Sequence, residues 1–130
     1  MTSLQTTWAP RVLSLLRIVT ALLFIEHGTQ KLLGFPASDF SPAVLSLPWI
    51  AGVLEIFGGA AVLVGFWTRP VSFLLSGTMA VAYFTVHAPQ SFFPVLNGGD
   101  AAILFCFIFL YLTFAGPGPW SLDAAAARRS

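Results

Sequence analysis

Apolar residues run through the chain in four long blocks, at about 12–33, 48–67, 71–88 and 99–116. Short stretches rich in Gly, Pro, Ser and Asp separate them. Each block approaches the ~20 residues a helix needs to span a bilayer. Open strands in hydrocarbon would leave N–H and C=O groups unpaired, so the blocks read as helices. The connections carry turn chemistry. GFPASDFSP (34–42) ends the first helix and opens a loop. Thr68-Arg69-Pro70 makes a tight turn, and a proline at a helix start costs nothing because its N–H is not needed there. Residues 88–100 hold Pro89, Pro94, Phe92 and Phe93 and predict a segment lying at the membrane interface. GPGPWSLD (116–123) stops the fourth helix, with Trp120 near headgroup level, and AAAARRS is a short basic tail. Short connections favour antiparallel neighbours. The expected fold is all-α: one domain over 1–130, a four-transmembrane-helix antiparallel bundle.

Composition agrees. The chain is 57% hydrophobic and 8% charged over 130 residues, against about 25% charged in soluble domains. A domain of this size has too little interior to hide that apolar surface from water. The 13 Phe and 4 Trp suit a lipid-facing surface with interfacial anchors. A net charge of +1 excludes a nucleic-acid partner and leaves the bilayer as the expected one. The single cysteine, Cys106, permits neither an intrachain disulfide nor a dithiol relay. The first block runs into Glu26-His27 without a small-residue cleavage site, so it is expected to be a span and not a cleaved signal. Arg11, Arg17, Arg69, Arg128 and Arg129 fall at one end of the expected helices, and Lys31 at the other. That bias predicts both termini in the cytoplasm.

Ionisable residues inside a membrane are expensive, so their positions carry information. Measured from the cytoplasmic helix ends, Glu26 lies about 22 Å up, Glu55 about 21 Å, Tyr83 about 20 Å, His87 about 26 Å and Asp100 about 24 Å. All four helices thus bring polar groups to the outer third. Glu26 with Gln30, and His27 with Lys31, form adjacent i,i+4 pairs. Gly52, Glu55 and Gly59 share a face where another helix can approach closely. The bland reading gives each group a structural job. Glu26 or Glu55 pairs with Lys31, Asp100 caps its helix, and His87 ends a helix at the interface. Buried ion pairs stabilise poorly, so two carboxylates, two histidines and a lysine in one layer exceed structural need. Glu26, His27, Glu55, His87 and Asp100 are the candidate reactive residues; Gln30, Lys31, Tyr83 and Asn97 are the candidate binding residues. Cys106 points elsewhere and reads as a core filler.

These residues also carry a family resemblance. RIVTALLFIEHGTQKLLGFP, with His27-Gly28-Thr29-Gln30-Lys31-Leu32, resembles the opening of the DoxX family of small four-helix membrane proteins. GVLEIFGGAAVLVGFWTRP is similar to that family's E-x-x-G-G…G-x-x-T-R pattern through Glu55, Gly58, Gly59, Gly65, Thr68 and Arg69. MAVAYFTVHAP…FFPVLNGGDAAILFCFIFLYL looks like its third and fourth helices, and GPGPWSLD like its closing motif. Asp100 stands where the family often has Glu, a shortened carboxylate. The likeness covers roughly residues 17–123. It implies a redox-associated protein of the bacterial inner membrane that touches quinone and works with a redox partner protein or as a homo-oligomer.

Three functions follow. The first is a redox-associated subunit with a quinone pocket. Its histidines would bond the ring's oxygens and its carboxylates relay protons. The chain has no cysteine set or dinucleotide glycine motif to carry electrons, so these must come from a partner. The second is a metal or haem site built on His27 and His87. Against it, the Glu-x-x-His pairs of di-iron bundles are missing. The third is a non-enzymatic scaffold or small transporter.

Overall fold

A computed structural model describes all residues, 1–130. The chain is all-helical, with no strand. Helix α1 spans Leu4–Leu33, α2 Leu47–Val64 and α3 Thr68–His87. A short α4 covers Pro94–Asn97, α5 covers Asp100–Ala115 and α6 covers Leu122–Ala127. Helices α1, α2 and α3 are each long and apolar enough to cross a membrane, and α5 is a shorter apolar helix. The boundaries differ from expectation in two places. Helix α1 begins eight residues early, through a π-wound turn at Leu4–Trp8 just before Pro10, the residue with no N–H to give. The expected basic tail forms α6, whose Ser121 accepts the Ala124 N–H as a cap.

The helices pack as two pairs, α1 with α2 and α3 with α5. Glycines set the first pair. A Cβ on Gly28 would stand 2.8 Å from the Gly52 carbonyl, and one on Gly59 would stand 2.7 Å from Ile25. In the second pair Ser76 Oγ donates to the Cys106 carbonyl at 2.8 Å. Phe24 joins the two pairs, edge-on to Phe105 at 5.2 Å and to Phe109 at 4.8 Å. These rings lie in one core with Ala21, Val62, Leu75, Met79 and Leu112. Only 23 of the 130 residues are buried. The outer faces carry Val19, Phe57, Phe73, Phe107 and Phe114, each at least half exposed, which suits lipid and not water.

One end of the bundle carries the connections 34–46 and 88–99, here called the loop end. The other, the turn end, carries residues 65–67 and the C-terminal segment. The turn end is clasped. Arg17, 1% exposed, donates to the carbonyls of Pro117, Trp120 and Leu63. Asp123 accepts the N–H groups of Trp67 and Thr68, both at 2.9 Å. Arg69 donates to the last carbonyls of α5, on Thr113 and Phe114.

Candidate functional site

Helices α2 and α3 meet closely near the turn end, where a Cβ on Gly58 would touch Leu75 at 2.7 Å. Toward the loop end a cavity of about 750 Å³ opens between the two pairs. Phe24, His27 and Lys31 of α1 line it, with Leu54 and Glu55 of α2, Met79 and His87 of α3, and Ala102 and Phe105 of α5. His27, Lys31, Glu55 and His87 are the only ionisable residues in an otherwise mostly apolar lining.

Each of the four is positioned by its neighbours. The i,i+4 spacing sets His27 and Lys31 one above the other on α1. The His27 ring stands edge-on to Phe105 at 5.7 Å. Glu55 is 1% exposed, and its Oε1 accepts from Lys31 Nζ at 2.6 Å. Its other oxygen is buried without a partner. His87 lies in the π-wound last turn of α3, Tyr83–His87, a distortion frequent at functional sites. Its Nδ1 is 2.9 Å from the Asn97 carbonyl. A carbonyl only accepts, so Nδ1 carries the proton, and Nε2 of the neutral ring is an acceptor.

The other candidates sit elsewhere. Glu26 is exposed and outside the lining. It lies about 160° around α1 from both Phe24 and Gly28, the residues that face the bundle. Gln30 also lies outside the lining. Asp100 is the exposed first residue of α5. Its side chain makes no capping bond, but its charge stands where the helix dipole favours it. Asn97 is 3% exposed and braces the loop. Its Nδ2 donates to Tyr83 Oη at 3.3 Å and to the Ser91 carbonyl at 2.9 Å. Its Oδ1 accepts the Gly99 N–H at 2.8 Å. Tyr83 and Asn97 therefore support His87 from behind. No group of three His, Cys, Asp or Glu side chains is close enough to hold a metal ion.

Sequence reasoning overlooked the clasp at the turn end. Arg17 entered it only as a topology signal and a family residue, and Asp123 only as the end of a motif. The available signal was Arg17's place on the stripe Ser14-Arg17-Ala21-Phe24-Gly28, the buried face of α1. Arg17 and the Asp123 it attracts close that end together with Arg69. Burial pushes the Asp123 carboxyl up, but the Thr68 and Trp67 N–H groups and Arg17 outweigh it and hold the carboxyl below its usual range.

Known relatives are similar over most of this chain. An uncharacterized protein of Haemophilus influenzae is 42% identical over 126 residues, covering 89% of this chain and 91% of that protein. Inner membrane protein YqjF of Escherichia coli is 27% identical, covering 82% and 85%. A Bacillus subtilis protein named "Putative oxidoreductase CatD" is 26% identical, covering 84% and 82%. No solved structure matches the chain. The sequence model of DoxX matches residues 12–88, more than half of the chain, including the His27, Lys31, Glu55 and His87 that line the cavity. This integral membrane protein belongs to the DoxX family.

Proposed function

We propose that the protein is a redox-associated subunit of the bacterial inner membrane whose cavity binds a quinone ring. The observation that carries this reading is the cavity's make-up: an apolar slot with two histidines and a Lys–Glu pair, and no other ionisable group. A quinone needs an apolar slot for its ring and polar groups for its oxygens. Phe24 and Phe105 supply aromatic faces. His27 and Lys31 offer N–H groups to one oxygen. His87 Nε2 accepts a proton from a quinol hydroxyl when neutral, and donates one to a quinone oxygen when charged. Quinone reduction takes two electrons and two protons. The lone Cys106 supplies no dithiol, so a redox partner protein delivers the electrons. The name of the Bacillus subtilis relative supports an oxidoreductase setting, and that of Escherichia coli YqjF supports the inner membrane.

In this reading α5, about 24 Å long, is the fourth span of an antiparallel bundle. Both termini are cytoplasmic, so the cavity faces the extracytoplasmic side. The test uses protein reconstituted into vesicles of known sidedness. A cysteine appended after Ser130 reacts only from the cytoplasmic side. A benzoquinone raises the Tm by several degrees, and His27→Ala with His87→Ala removes most of that shift. A well-folded sample whose Tm is indifferent to quinones contradicts the proposal.

A further inference from the structure

The cavity is longer than its polar end requires. From His87 the α3 wall continues past Met79 and Gly77 to Phe73, about 21 Å along the helix. Below Met79 the α3 wall carries no ionisable side chain. The flank is apolar and open: Phe73 is 64% exposed and Leu74 53%, and Ile50, nearer the loop end on α2, is 41%. The cavity is therefore continuous with the lipid-facing surface of α2 and α3.

Gly77 stands in this stretch without a packing reason. A Cβ on Gly28, Gly58 or Gly59 would strike a neighbouring helix, but one on Gly77 would meet nothing within 4 Å. Glycine weakens a helix interior relative to alanine. At Gly77, an exposed position, the missing side chain leaves open space along the groove.

We infer that the groove holds the hydrocarbon tail of the ligand whose ring sits among His27, Lys31, Glu55 and His87, and that Gly77 sets the girth of tail it accepts. The inference rests on the ring-binding reading. It narrows the ligand to a tailed, membrane-dissolved molecule entering sideways from the bilayer.

The test compares two benzoquinones in lipid nanodiscs, one with an isoprenoid tail and one with a methyl group in its place. Binding is read as thermal stabilisation against mole fraction in the lipid, so that partitioning cancels. Gly77→Phe weakens the tailed quinone about tenfold and leaves the tail-less ring within about twofold of wild type. Gly77→Ala behaves as wild type. Gly77→Leu repeats the test with a smaller plug should the Phe variant not fold, and is expected to show the same selective loss. His27→Ala weakens both ligands alike. A Gly77→Phe variant that affects both ligands equally, or neither, overturns the tail groove while the ring site stands. A wild-type protein that binds neither quinone overturns the ring site, and the groove with it.

Discussion

Glu55 is a carboxylate placed where water does not reach, and Lys31 is the group that makes this tolerable. Removing one partner of such a pair strands the other charge, and the cost is large. Replacing both leaves nothing to strand. Lys31→Met is therefore expected to destabilise the protein by about 3 kcal/mol, and Lys31→Met with Glu55→Gln to recover most of that loss. Denaturation of the single and double variants in detergent checks this. A double variant less stable than Lys31→Met would show that the pair is not the unit of stability. The same residues show what could be read in advance. That His27, Lys31, Glu55 and His87 lie in one layer follows from counting residues along helices. That Glu26 faces outward depends on the angular position of one neighbour relative to another, which counting height alone ignores.

Helix ends tell a similar story. The first N–H groups of a helix need acceptors. For α3 these come from Asp123, far along the chain. The Asp123 carboxyl titrates lower in the folded protein than in the unfolded chain. Its contribution is therefore fully present above the unfolded value and is lost as pH falls through the folded one. Wild type should lose stability in that acid range, and Asp123→Asn should lose part of this pH dependence while costing about 1 kcal/mol at neutral pH. Tm measured across the acid range checks both. An unchanged pH profile in Asp123→Asn would remove the clasp from the account. Local patterning gave access to the apolar blocks and their turns, because hydrophobic runs and Gly/Pro punctuation are local signals. The clasp joins Arg17 and Trp67 to a segment 103 and 56 residues away, and no local pattern reports such a pairing. The helical tail missed expectation because its cap, Ser121, lies inside a stretch that reads as a loop.

At the scale of the whole molecule, two helix pairs are fastened at one end and separate toward the other. Gly28, Gly52 and Gly59 close the α1–α2 contact. Phe24, Phe105 and Phe109 tie the pairs at mid-depth. Arg17, Arg69 and Asp123 secure the turn end. The cavity opens where these fastenings stop, so the same packing that builds the fold leaves room for a ligand. Residue heights indicated the depth of that site. Its volume and sideways opening depend on how α2 and α3 diverge, which is a property of packing and not of either helix alone.

Photolabelling tests the central claim most directly. A quinone bearing a photoreactive group on its ring is irradiated with the reconstituted protein, and the modified residues are mapped by mass spectrometry. Adducts should fall on residues lining the cavity, such as Met79, Ala102 and Phe105, and should disappear when excess unlabelled quinone is added. Adducts confined to outward-facing residues such as Phe107 and Phe114, and insensitive to competitor, would contradict a quinone site in this cavity.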